Sequence, residues 1–268
     1  MKKYSLLASL VAGSIVFGTG NTLAQYTGNI AGAEALEPIT SSTAIANVTL
    51  NSDPVVTAIL SQPGTFGGHT YTGWSFLVND GTGSLDIFAS ASSLTTLGYT
   101  PTVGDALSIS GTYSPFHQIP EIETLTAISK VGSGAPAGPV VQTIPTLNQT
   151  TLPLSTAGYL VEVDNVTISG TPATFPAANN SYTITDSANN SMTLYYWYTS
   201  YSTDGAMSGN TVPTGPVDII GFDSVFPGSP GAPEFTPIAI NPVPEPTTMG
   251  LCAGGALLML MFRSRRNA

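Results

Sequence analysis

The chain has almost no cations outside its two ends. Of its six Lys and Arg residues, Lys2 and Lys3 open the sequence and Arg263, Arg265 and Arg266 close it. Between them Lys130 alone stands against all sixteen acidic residues. Nucleic acid is held largely by cations that displace counterions from phosphates. This balance therefore argues for no nucleic acid among the partners, and against anionic lipid surfaces. Cysteine is equally scarce: Cys252 is the only one, and it lies in an apolar run near the C-terminus. The body thus has no disulfide and depends on core burial for stability. Only two histidines occur, His69 and His117, without metal-ligand spacing, and each reads as a surface loop residue. A Ser-nucleophile motif and a Gly-rich phosphate loop before a helix are both missing, as are the arginines of a phosphate clamp. The chain reads as a non-enzyme.

Acids are what remain for site chemistry. Glu121, Glu123 and Glu234 are the best-placed carboxylates for a glycosidase pair, but Glu121 and Glu123 share one face of a strand, which reads as the wet one. Calcium is the one cofactor the acids suggest, since Asp80 and Asp86 flank a turn, although the spacing of an EF-hand loop is missing. No other cofactor is indicated.

The two ends are the most specific text in the sequence. Lys2-Lys3, an apolar run from Tyr4 to about Phe17, and Thr22-Leu23-Ala24 before Gln25 make the charged region, apolar region and small-residue site of a signal peptide. Cleavage by signal peptidase is expected between Ala24 and Gln25. At the other end stand Val243-Pro244-Glu245-Pro246, then Met249 to Phe262, then the Arg263, Arg265 and Arg266 cluster. The apolar run is short for a membrane span, about 21 Å as a helix against the roughly 20 residues a stable span requires. The arginines hold their end in the cytoplasm, which places the body outside.

Pro-Glu-Pro, a short Gly-, Ala- and Leu-rich apolar helix and a terminal Arg cluster resemble the PEP-CTERM sorting signal, also catalogued as the C-terminal domain of an ice-binding protein. The resemblance covers residues 243–268 only. It implies an exosortase-like enzyme as a processing partner, membrane association during sorting, and a final place at the cell surface or in an exopolysaccharide or biofilm matrix. It does not reach the body.

The body is rich in Thr, Ser, Gly, Pro and β-branched residues and lacks long amphipathic helices, which predicts an all-β fold. Trp74 to Val78 and Ser84 to Phe88 flank Asn79-Asp80-Gly81-Thr82-Gly83 as a hairpin with one buried face. A short helix over Ser92–Leu97 ended by Gly98 is expected next. Strands over Ala106–Tyr113, with a bend at Gly111, and Pro120–Ile128 follow. Strand, hairpin, short helix and two strands is the layout of an OB-fold barrel, and residues 45–131 resemble OB-fold domains of bacterial exported proteins.

A repeat extends this reading. Ile109-Ser110-Gly111-Thr112-Tyr113-Ser114-Pro115-Phe116 is similar to Ile219-Ile220-Gly221-Phe222-Asp223-Ser224-Val225-Phe226, and Pro120-Glu121-Ile122 to Pro233-Glu234-Phe235. The expected organisation is a signal helix over 1–24, an N-terminal segment over 25–41, an OB-like antiparallel barrel over 42–131, a linker over 132–140, a second barrel over 141–241, and the sorting tail with its short transmembrane helix over 243–268.

Aromatics are the last handle. Trp74, Tyr196 and Trp197 are candidate stacking residues for the flat apolar faces of sugar rings, with core packing as the rival use. The combined expectation is an exported, surface-sorted protein, structural or adhesive in the extracellular matrix. The alternative is a carbohydrate-binding module for extracellular polysaccharide, and a secreted hydrolase comes third.

Overall fold

The computed structural model describes residues 14–16, 23–36, 44, 46–66, 69–176, 178–197, 207–226 and 232–243. Most of the predicted signal segment and all of the sorting tail beyond Val243 lie outside the described residues. Among the described residues no helix is long and apolar enough to cross a membrane.

The first half holds strands β1 (Ser14–Val16) and β2 (Ala24–Gly28), helix α1 (Ile30–Glu34), and strands β3 (Ala46–Leu50), β4 (Val55–Ser61), β5 (Gly64–Phe66), β6 (His69–Tyr71), β7 (Gly73–Asn79) and β8 (Ser84–Ser90). Helix α2 (Ala91–Leu97) and the long strands β9 (Asp105–Tyr113) and β10 (Glu121–Ser133) complete it. The second half holds β11 (Val140–Val141), α3 (Ile144–Leu147), β12 (Val161–Ser169), β13 (Asn180–Thr185), β14 (Ser191–Tyr196), β15 (Val217–Phe226) and β16 (Ala232–Pro242).

Two sheets close on themselves. The first runs β4-β7-β8-β10-β9 and returns to β4 through Val55 opposite Ala106. The second runs β12-β13-β14-β16-β15 and returns to β12 through Val161–Val166 against Val217–Gly221. Number each ring in chain order and both read 1-2-3-5-4-1, with strands three and five parallel and all other neighbours in the ring antiparallel. That circuit is the OB-type arrangement, in which closure leaves no open edge within the ring.

Local chemistry explains the elements. The Asp80 carboxylate organises the β7–β8 turn: its Oδ1 accepts from the Thr82 amide at 2.9 Å and from the Thr82 hydroxyl at 2.6 Å. Its Oδ2 accepts from the Ile30 amide at 2.8 Å and the Ser52 hydroxyl at 2.6 Å, tying α1 to the barrel. These bonds to the ionised form hold the Asp80 carboxyl below its ordinary range despite partial burial. Helix α2 starts at Ser90, whose hydroxyl accepts from the Ser93 amide, and stops at Gly98 with φ +72°.

Each barrel has its own core. Leu50, Val56, Phe76, Leu85, Ile87, Leu107, Ile109 and Ile122 fill the first, together with Ile30 and Ala33 of α1. Val161, Val163, Ile184, Leu194, Val217, Ile219 and Phe235 fill the second. The segment expected to precede the first barrel therefore belongs to it: β2 pairs in parallel with β3, and Tyr26 is buried. The expected linker is likewise packed at its start, since β10 runs through Ser133 and the Gly134 amide donates to the Gly104 carbonyl.

A third apolar cluster joins the halves. Ala58, Leu60, Leu77 and Ile119 from the first barrel meet Phe222 and Ile238 from the second. Polar contacts reinforce the contact. Ser84 Oγ donates to the Gly158 carbonyl at 2.7 Å, Gln118 Nε2 donates to the Thr150 carbonyl at 2.9 Å, and the Val225 amide donates to the His117 carbonyl at 2.9 Å. The hairpin was expected to bury one face. Both faces are buried, because the second barrel covers the outer one: Phe76 and Val78 point into the first core, and Leu77 points into the shared cluster.

Gly111 and Gly221 occupy corresponding places, as the repeat implies. Neither has positive φ, so neither is required by a left-handed backbone. The constraint is the neighbouring strand. A Cβ on Gly111 would lie 2.7 Å from Ile122 Cγ2 and 3.0 Å from the Glu123 carbonyl oxygen, and one on Gly221 would lie 2.2 Å from the Thr236 carbonyl oxygen. The deepest overlap at Gly111 is with a side-chain methyl that can turn aside, whereas at Gly221 it is with the backbone of the neighbouring strand, which cannot. Gly221→Ala is accordingly expected to cost more stability than Gly111→Ala, about 2–4 against about 1–2 kcal/mol. Chemical denaturation of both variants measures this, and equal midpoints would contradict it.

Candidate functional site

Strand alternation sets the site. Ile122 and Phe235 are corresponding residues of the two fifth strands, and both are fully buried in their barrel cores. The residue before each, Glu121 and Glu234, must face the other way. Because the barrels pack against each other on that side, both glutamates line one cavity between them, of about 300 Å³.

The first barrel contributes Leu60, Tyr71, Ser75, Asp86 and Phe88 to its wall, and the loop before β10 adds Phe116, His117 and Ile119. Across from them stand Tyr195 and Trp197 at the end of β14, Phe222 and Ser224 of β15, and Thr236 of β16. Phe88 and Phe116 are 40% and 50% exposed, so the aromatic surface continues to the mouth. Phe116 stacks on His117 with ring centroids 3.9 Å apart, and Tyr195 meets Trp197 edge-on at 6.2 Å. His117 was read as a surface loop residue. It lines the cavity instead, and burial pulls its imidazole below the ordinary range, so it is neutral near pH 7. His69 lies in β6, where its backbone pairs with Phe66.

The floor is acidic. Asp86 and Glu121 are opposed residues on the parallel strands β8 and β10. Ser75 Oγ lies 2.9 Å from each Asp86 carboxylate oxygen, as donor to the pair. Glu121 is buried, and no described residue hydrogen-bonds its carboxyl. Burial pushes both groups above the ordinary carboxylate range, and for Glu121 the charges of Asp86 and then Glu123 add to the rise. Glu234, less buried, is also raised by desolvation. The reading of Glu121 as a wet-face residue is thereby corrected: the face would be wet in an isolated barrel, and the second barrel dries it. Glu123 is half-buried on the same strand but does not line the cavity.

Of the three aromatics expected to stack on a ligand, Trp197 alone lines the cavity. Tyr196 points the other way into the second core, and Trp74 packs against the first. The alternation of β14 separates Tyr196 from its neighbours, and only the sense of that alternation was missing from the sequence. Phe88 and Phe116 were not singled out as ligand-facing, since nothing local distinguishes them from core aromatics. Asp80 and Asp86, considered as a calcium pair, do separate work: one ties the turn to α1 and the other lies in the cavity. Glu162, Asp164 and Asp218 form a different acidic group on the second barrel with mutually close oxygens. Asp218 Oδ1 there accepts from the Asn165 amide at 2.8 Å.

Of the sorting and processing residues, Val243 is described, its amide donating to the Pro216 carbonyl at 3.0 Å. Pro244, Glu245, Pro246, Arg263, Arg265 and Arg266 lie outside the described residues. Ala24 and Gln25, at the expected cleavage site, open strand β2, with Gln25 opposite Asn47 of β3.

No protein-family model matches the chain, and no curated protein matches it. Solved structures do. The chain is similar to a murine DNA-binding protein bound with double-stranded DNA, at 14% identity over 72% of this chain and 98% of that one, with a TM-score of 0.40. It is similar to the Ifi202 HINa domain in complex with a 20-bp DNA duplex, at 11% identity over 76% and 98%, TM-score 0.40. A replication protein A heterotrimer bound to single-stranded DNA matches at 13% identity over 83% of this chain and 55% of that one, TM-score 0.35. These complexes overturn the exclusion of nucleic acid drawn above from the scarcity of cations. Phosphate neutralisation is only one mode of nucleic-acid binding, and bases also bind by stacking on aromatic rings. The likeness, at these TM-scores, does not assign DNA to this chain.

One carboxylate is buried without a ligand-facing role. Phe222 and Ser224 line the cavity, so Asp223 between them points into the second barrel. It is fully buried, and neither carboxylate oxygen has a partner of good hydrogen-bond geometry. Burial pushes it from 3.8 to about 8. Its folded pKa lies above its unfolded one, so the folded state holds the extra proton. Its contribution is full below about pH 4 and is lost as pH rises towards 8. Stability is expected to fall by about 2–4 kcal/mol across that window from this group. Asp223→Asn should flatten the fall, and unfolding of both proteins at pH 5 and pH 8.5 tests it.

Proposed function

We propose that this chain is an exported protein, sorted to the cell surface by its C-terminal tail, whose two tandem OB-type barrels bind a saccharide in the cleft between them without catalysis. The observation that carries the reading is the cleft itself, aromatic on both walls and carboxyl-bearing on its floor. Sugar rings offer flat apolar faces to aromatic side chains and hydroxyls to carboxyls. A mostly apolar pocket with a few convergent polar groups is the usual form of a small-ligand site. Raised carboxyls are an advantage here, since a protonated carboxyl donates as well as accepts hydrogen bonds. The ends of the sequence supply the place of action: export, processing by signal peptidase and an exosortase-like enzyme, and release to the surface or its matrix. A surface protein that grips a matrix polysaccharide is adhesive, which unites the structural and the carbohydrate-binding expectations.

Glycoside hydrolysis is a second reading, favoured by the same acids. Its two groups must flank the scissile bond about 5–9.5 Å apart. Asp86 and Glu121 rise from neighbouring strands of one wall, and Ser75 engages both oxygens of Asp86. That placement suits a hydrogen-bonding floor better than a pair straddling a bond.

Calorimetric titration of the full chain with a panel of short oligosaccharides tests the proposal. Trp197→Ala is expected to weaken binding about tenfold or more, roughly 1.4 kcal/mol, while Trp74→Phe leaves it unchanged. Equal binding by the Trp197 variant would remove the cleft as the site. Accumulation of new reducing ends during incubation would replace the binding reading with the hydrolytic one.

A further inference from the structure

The cleft combines two features that a neutral sugar does not require together. Its floor and far wall carry Asp86, Glu121 and Glu234, and among the described residues no lysine or arginine lines it. Its flanks present Trp197 and Tyr195, whose ring faces attract cations. Among the described residues the only cation, Lys130, is engaged elsewhere, in an ion pair with Asp105. Glu121 is the decisive group: only 7% of it is exposed, it lines the cavity, and among the described residues no donor hydrogen-bonds its carboxyl. A buried acid left without a partner is costly, and a donor supplied by a ligand removes that cost.

We infer that the preferred ligand of the cleft is a saccharide bearing a free, protonated amino group, which pairs with Glu121 while its ring stacks on Trp197. The inference rests on the saccharide reading above and narrows it. A protonated amine supplies three donors and a positive charge to a floor with carboxylate acceptors. Acetylation of the same nitrogen removes the charge and two of the donors while leaving the ring unaltered.

Proton linkage follows from the surroundings of Glu121. Asp86 faces it from β8 and Glu123 lies on its own strand; Tyr71, His117, Tyr195 and Glu234 complete the titratable groups of the cavity. With the carboxyls held above their ordinary range, the empty floor retains protons at mildly acidic pH. A bound cation favours the ionised form and expels a proton. Affinity for the amine is therefore expected to rise from pH 5 to pH 7, and binding should release protons to the buffer.

The experiment titrates the full chain at about 0.15 M salt with a glucosamine tetramer and with its fully N-acetylated counterpart, in two buffers of different ionisation enthalpy. The amine form is expected to bind about tenfold more tightly and to release protons. Glu121→Gln should bring its affinity down to that of the acetylated form, with Glu234→Gln as a milder second variant if the first is unfolded by circular dichroism. Glu162→Gln, in the acidic group of the second barrel outside the cleft, should change nothing. Equal affinity for the two tetramers would overturn the inference and leave the saccharide reading intact. Binding of neither would overturn both. An equal loss in the Glu162 and Glu121 variants would reduce the preference to general charge attraction and also overturn it.

Discussion

The contact between the barrels is the constraint on which the rest depends. Leu60, Leu77 and Ile119 on one side and Phe222 and Ile238 on the other are outward-facing residues of their own barrels. An isolated barrel would present them to water. Burying them stabilises the pair by the usual area-proportional gain, and it has a second effect. The same faces carry Asp86, Glu121 and Glu234, so the contact that removes leucine from water also dries the carboxyls beside it. Their raised pKa values and the polar floor of the cavity are consequences of that one packing event.

The site is thus built by repetition. Each ring uses the same circuit, and in each the fifth strand enters beside the third with its glutamate turned outward. Corresponding residues then meet across the interface, so one sequence feature used twice furnishes two walls. The copies have diverged at the position two residues after Gly111 and Gly221. Tyr113 and Asp223 occupy it, both fully buried with polar heads that find no partner of good hydrogen-bond geometry among the described residues. In the first barrel α1 brings Glu34 close to this region, and burial raises that carboxyl to about 8. Burying two such groups means that stability is given up at neutral and alkaline pH, and the apolar cores must supply the difference.

Stacking and electrostatics play different parts in such a cleft. Aromatic walls hold many flat ligands without distinction, saccharides and bases alike. The carboxyls on the floor are the chemically selective groups, since they accept or donate hydrogen bonds according to their protonation. Composition is therefore informative about selectivity and silent about stacking, which is why counting cations alone led to too broad an exclusion of nucleic acid.

Local periodicity was enough to read much of the architecture. The Asp80–Gly83 turn, the helix ended by Gly98, the correspondence of Gly111 with Gly221, and the order of strands in both halves follow from short-range chemistry: turn residues, β-branched alternation and a repeat. The correspondence of Glu121 with Glu234 was visible as well. What no window of sequence contained was which face of each strand the other barrel would cover. Alternation states that Glu121 and Ile122 face opposite ways; it does not state that both faces are dry. Tyr196 and Trp197 differ in the same manner, one buried in a core and the other set in the cleft, from adjacent positions of equal character. That assignment depends on contacts between residues more than a hundred positions apart, such as Leu60 with Phe222, and only the tertiary structure brings them together.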